Sequence, residues 1–175
     1  GAFVRPALGP KGVDVSSWAP AAAKADTWAV IAALSSGWQN YRHQADALAQ
    51  YRLLRARGVT DDHIVLILAD DLASARENLL RGEIRNAPAG SDLYPDAVID
   101  YDLSLTADEL VDIITGQVRE QTPTVISPGA ASNVYIYLVG HGGTEGMPLG
   151  AASTEEGLAG GDASFTPTHL RAALC

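Results

Sequence analysis

The sequence predicts an α/β domain built on a mostly parallel sheet, and three observations carry that expectation. WAVIAAL at 28–34 and IVLILA at 64–69 are short, nearly continuous apolar runs, the pattern of strands buried on both faces. Between them, YRHQADALAQYRLLRAR at 41–57 sets Leu48, Tyr51 and Leu54 at helical spacing. Strand, helix and strand in that order imply a right-handed crossover joining parallel strands. A third run, NVYIYLVGHGG at 133–143, is rich in strand formers and stops on a histidine set between glycines.

Each element has its local reason. Residues 1–20 contain Pro6, Pro10 and Pro20 and read as an extended leader or edge segment, leaving 21–175 as the domain. SSGWQN turns the chain from the first strand into the first helix, and Gly58 stands where that helix wants a left-handed cap. Asp70 and Asp71 follow the second strand and are expected to be structural or helix-capping, with a second helix near 71–81. RGEIRNAPAGSDLYPDAVIDYDLS reads as loop with room for a short hairpin. Thr106 and Glu109 have capping-box spacing, and ELVDIITGQV continues the helical pattern to about Gln121. The third strand runs to His141, a glycine-rich loop follows, and Thr166 before Pro167 starts a last helix.

The totals narrow the function classes. At 175 residues and 47% hydrophobic the chain can bury one substantial core. Twelve Lys and Arg against 21 Asp and Glu give a net charge of -9, which leaves nucleic-acid binding without an electrostatic footprint. No apolar run approaches the roughly 18 residues of a membrane span. The opening GAFVRPALGPKG lacks a signal peptide's apolar stretch; removal of a signal would suit a secreted or periplasmic chain, so the compartment stays open. A single cysteine, Cys175, excludes an internal disulfide.

In an open parallel sheet, working residues gather beyond the carboxyl ends of the strands, where His141 sits. The glycines after it let backbone N–H groups approach a substrate carbonyl. An esterase would need a G-x-S-x-G elbow, which is absent. His43, His63, His141 and His169 form no tight metal-ligand pair, so no metal is expected. GHGGTEG has Glu145 where a dinucleotide loop needs its third glycine. The chemistry left is a histidine paired with a cysteine brought from a neighbouring strand.

Three ordered stretches resemble one family. GWQNYRHQAD at 37–46, followed after a helix by a buried strand and an Asp pair, is similar to the core of the legumain-type cysteine peptidases, a group that includes the GPI-anchor transamidase catalytic subunit. NVYIYLVGHGG resembles that family's histidine strand, and RNAPAGSDLYPDAVIDY its N-x-P-x-G-x-D-V-Y loop. The similarity covers about residues 28–175 and implies a caspase-like three-layer α/β sandwich, with the last strands of the sheet missing from this chain. It further implies that His141 is the catalytic histidine, that Gly142 supplies an oxyanion-hole N–H, and that Asn40 assists the histidine. Arg42 and His43 match residues lining the primary specificity pocket, and Asp92 and Tyr94 match the cleft loop. The implied activity is endopeptidase cleavage after Asn or Asp of a peptide or protein, with transpeptidation or ligation related to it and no cofactor. Gly140, before the histidine, departs from the legumain Asp and is more like the transamidase branch.

Cys175 lies 34 residues after His141, but FTPTHLRAAL resembles the helix preceding the family's nucleophile strand, which puts Cys175 inside that helix as a small buried residue. The expectation is therefore a nucleophile supplied from outside this chain, by a second chain or a continuation. The rival expectation is a catalytically incomplete domain that binds peptides or a partner by strand addition. Asn40 has its own alternative, as an ordinary cap of the helix that follows it.

Overall fold

The computed structural model describes residues 26–149, 153–154, 157–158 and 164–174. Its centre is β1 (Thr27–Ala33), whose apolar run has no polar face: Ala29 to Leu34 are at most 1% exposed, so both sides of the strand must be covered. β2 (Ile64–Ile67) pairs with it in parallel, Leu66 opposite Ile31, and β3 (Asn133–Val139) pairs in parallel on the other side, Ile136 opposite Val30. The order is β2-β1-β3. Beyond β2 the sheet is extended by a parallel bridge between Ile67 and Tyr101. No strand among the described residues pairs with the outer edge of β3.

Alternation along the strands separates two cores. Ala29, Ile31 and Ala33 of β1 with Ile64 and Leu66 of β2 face α1 (Tyr41–Ala56), which contributes Ala45, Ala47, Leu48 and Tyr51. Val30, Ala32 and Leu34 with Val65 and Ile67 face the other way, onto Ala107, Leu110, Ile113 and Ile114 of α2 (Ala107–Thr115). Helix, sheet and helix make three layers, as the resemblance implied.

The predicted helix stops hold at α1, where Gly58 follows with φ 86°. The Thr106–Glu109 capping box is formed in full at the start of α2, but that helix ends at Thr115 rather than near Gln121. Gly116 takes φ 73°, and a Cβ there would stand 2.7 Å from the Ile126 carbonyl oxygen, so the chain turns at this glycine and cannot carry the helix on. The helix expected at 71–81 is not formed. Asn78 is buried and its amide donates to the carbonyls of Leu72 and Glu83 while its oxygen accepts from Leu80 N, so a side chain organises the segment as successive turns. The loop before α2 holds no hairpin; its end runs beside β2 through the Tyr101 bridge.

The described parts of the glycine-rich stretch after His141, expected as loop, include short paired strands. β4 (Met147–Pro148) pairs antiparallel with β7 (Ser164–Phe165), and between them β5 (Ser153–Thr154) pairs with β6 (Gly157–Leu158). Gly146 permits the first pairing: its φ is 140° and a Cβ would lie 2.5 Å from the Phe165 oxygen. α3 (Pro167–Leu174) then starts at Thr166, whose hydroxyl accepts from His169 N at 3.4 Å, and lies against α2. Residues 1–20 and Cys175 lie outside the described residues. No described helix is long and apolar enough to cross a membrane.

Candidate active site

Because β1 and β3 are parallel neighbours, the residues after each emerge side by side. Leu34 N still bonds the Val139 oxygen at 2.8 Å, one step beyond β1. The strand itself stops at Val139, two residues before the histidine, so Gly140 and His141 are already loop. Gly140 passes close to Leu34: a Cβ on it would meet the Leu34 Cβ at 3.2 Å. On the β1 side, Ser35 to Gly37 lead into a 3₁₀ turn, Trp38–Asn40, and then directly into α1.

Asn40 and His141, 101 residues apart in sequence, meet here. Asn40 occupies the N-cap position of α1 but makes no side-chain capping bond. Its amide nitrogen donates to the Ser36 carbonyl at 2.8 Å, which turns its Oδ1 toward His141 Nε2, 2.7 Å away. An amide oxygen can only accept, so Nε2 carries the proton of this bond and Nδ1 is left as the basic nitrogen of the neutral ring. The pair is set by hydrogen-bond direction, and Asn40 is only 5% exposed, so water competes poorly for it.

Arg42 and His43 diverge. Arg42 is exposed and its guanidinium donates to the Gln39 carbonyl at 3.3 Å. His43 is buried, shares a hydrogen bond between its Nδ1 and the Ser35 hydroxyl, and sets its ring edge-to-face with His141, centroids 5.1 Å apart at 85°. Burial, then the charges of Arg42 and His141, push the His43 pKa below its usual 6.5, with Asp46 opposing. His43 thus favours the neutral form and does not compete for positive charge with the ring it touches. Gly142 is exposed, and a Cβ on it would meet nothing within 4 Å, leaving its backbone open to an approaching group.

Further residues complete the surroundings. Ser35 and Ser36 fix His43 and Asn40. Asp71 accepts from Gly37 N and from Gln44 Nε2, each at 2.6 Å, and so ties the turn to the end of β2. Its neighbour Asp70 accepts from Tyr94 OH at 2.7 Å, which together with burial raises the Tyr94 pKa. Asp92 accepts from Ile84 N and Tyr94 N, both at 3.0 Å, and shapes its own loop. A cavity of about 620 Å³ lies beyond Tyr41, lined by Trp38, Leu79, Leu80, Arg85 and Pro88 among others, and includes none of Asn40, Arg42, His43 or His141. No group of three or more His, Cys, Asp or Glu among the described residues could hold a metal ion.

Comparison with known proteins bears on the family. Residues 27–159 match the Peptidase C13 family. Legumain of Mus musculus is 34% identical over 122 residues, which is 67% of this chain and 28% of legumain. GPI-anchor transamidase of Saccharomyces cerevisiae is 35% identical over 129 residues, 71% of this chain and 31% of that protein. Vacuolar-processing enzyme of Vicia sativa is 36% identical over 129 residues, 70% and 26%. The chain therefore spans less than a third of the length of these curated relatives. Three layers about a parallel sheet, a histidine just past β3 and a family match over residues 27–159 converge on one statement: the chain belongs to the peptidase C13 family and carries its caspase-like α/β fold.

Proposed function

We propose that this chain is the histidine-bearing part of a legumain-type cysteine endopeptidase, cleaving a peptide or protein after Asn or Asp. The observation that supports this most is the 2.7 Å contact between Asn40 Oδ1 and His141 Nε2. It leaves Nδ1 of His141 free to take a proton from a thiol, and it stabilises the imidazolium that results, because Nε2–H then donates with more charge. The thiolate attacks the carbonyl carbon, and the Gly142 N–H donates to the oxygen as negative charge grows on it. The C–N bond breaks, and the imidazolium returns its proton to the departing amine. Water attacking the thioester gives hydrolysis; a second amine attacking it gives transpeptidation, a reading favoured by the transamidase among the relatives.

The cysteine comes, in this reading, from a strand seated on the outer edge of β3, supplied by a continuation of the chain or by a second chain. Arg42, exposed at the start of α1, holds the side-chain oxygen of the substrate residue, and His43 forms the wall behind it. The reaction requires no cofactor. The test is hydrolysis, by the whole protein, of otherwise identical peptides with Asn, Asp or Gln before the cleaved bond. Cleavage after Asn or Asp that is lost in His141→Ala supports the proposal. Binding of the same peptides without cleavage of any would favour the rival, a non-catalytic module that adds a peptide strand to β3.

A further inference from the structure

We infer that Asp71 is a positioning residue for the Asn40–His141 pair, an inference that rests on the reading of that pair given above. Asp71 lies past the end of β2 and touches neither member. It acts on the turn that carries Asn40. One carboxylate oxygen accepts from Gly37 N and the other from Gln44 Nε2, both at 2.6 Å, so a single side chain clasps the turn immediately before Asn40 and the first turn of α1 immediately after it.

The clasp acts on a turn of unusual backbone. Gly37 adopts φ 84° and ψ 158°, a conformation that L residues rarely take, and its N–H donates to Asp71. Asn40 N bonds Gly37 O at 3.0 Å and Asn40 Nδ2 bonds Ser36 O at 2.8 Å, so these residues form one turned body. Asp71 ties this body to the sheet through β2, and β2 shares β1 with β3, so the acceptor for His141 Nε2 is held in the frame of the strand that carries His141. Gln44 is fully buried with its Oε1 unbonded among the described residues, so facing its Nε2 to the carboxylate is what its amide does here. The backbone at Asp70, with φ 54°, turns the two adjacent carboxylates apart: Asp70 goes to Tyr94, Asp71 to the turn.

The test reads the His141 ring directly and does not require turnover. Long-range proton–nitrogen NMR of the ¹⁵N-histidine-labelled chain at pH about 9, where an ordinary imidazole is neutral, distinguishes the two tautomers. The inference predicts a single Nε2–H tautomer for His141 in the native chain. Asp71→Leu keeps size but removes both acceptors, and should convert His141 to a mixture of tautomers. Asp71→Asn keeps an acceptor for Gly37 N and offers a donor that the Gln44 oxygen can accept once its amide turns over, and should keep the single tautomer. Asp71→Leu that melts at lower temperature yet leaves the His141 tautomer unchanged would overturn the inference, since Asp71 would then be only structural. A mixture in Asp71→Asn as large as that in Asp71→Leu would overturn the clasp as its cause. A native chain without the Nε2–H form would sink the Asn40–His141 reading itself.

Discussion

Replacing Asn40 by Ala removes the oxygen that accepts from His141 Nε2 and the donor to the Ser36 carbonyl, and turnover and stability report on these losses differently. The bond lost in catalysis is Nε2–H to Oδ1, 2.7 Å long and largely shielded from water. In the resting neutral ring such a bond contributes about 1 kcal/mol; once the ring is protonated it is charge-assisted and contributes roughly 1.5–3 kcal/mol. Catalysis feels the difference between the two, about 0.5–2 kcal/mol, so kcat for peptide cleavage by the whole protein should fall about 2- to 30-fold, with KM within a factor of about three because Asn40 does not bind substrate in this account. The resting bond and the donor to Ser36 O should appear together as about 2 kcal/mol of stability in urea unfolding. Asn40→Asp keeps an acceptor for Nε2 but turns an oxygen on the Ser36 carbonyl, so it should be less stable than wild type while retaining more activity than Asn40→Ala. A fully folded Asn40→Ala with kcat equal to that of wild type would refute the role assigned to this contact.

Three further outcomes follow from the same geometry. Gly116→Ala meets both a left-handed backbone and the Ile126 oxygen at 2.7 Å, whereas Gly58→Ala, with φ 86° and nothing within 4 Å, meets only the backbone strain; urea unfolding should show losses of about 2–4 against about 1 kcal/mol. Gly140→Asp, which restores the residue legumains carry, presses Leu34 at 3.2 Å and should lower stability by about 1 kcal/mol, read as a drop in melting temperature. Because the folded His43 pKa lies below its usual 6.5, the unfolded chain binds the extra proton first as pH falls. This group's stabilisation is complete above about pH 6.5 and is lost on descent through the folded pKa, and His43→Gln should flatten that part of a stability-against-pH curve.

What could be read from sequence follows from how local each signal was. β1 and β2 were legible because a strand buried on both faces has nothing polar to interrupt it, and the cap at Thr106 because its two partners lie three residues apart. The absent helix at 71–81 was misread because LASAREN has helical composition, while the organising contacts come from one buried side chain, Asn78, and from Gly82 with φ 84°. The stop of α2 at Gly116 was missed because helical spacing runs on to Val118, while the close approach to Ile126 that ends the helix is not visible in the local pattern. At the site, a histidine beyond a strand was legible from the apolar run and its glycines, and a place for Asn40 beside it only as what the resemblance implied. Asp71 was visible only as half of the Asp pair after β2, expected to be structural or helix-capping, because its partners Gly37 and Gln44 lie 34 and 27 residues away and only the parallel sheet brings them together. That Asn40 serves His141 and not the helix end was likewise a matter of side-chain direction, which spacing does not encode.

The proposed reaction turns on His141 activating a thiol, and intact-protein mass spectrometry tests this most directly. The whole protein is treated with an asparaginyl peptide bearing a cysteine-reactive group, beside the His141→Ala variant. The account predicts one adduct, on a cysteine other than Cys175, formed in the native protein and slowed at least about a hundredfold in the variant. No adduct, or one that forms equally fast without the histidine, would contradict it.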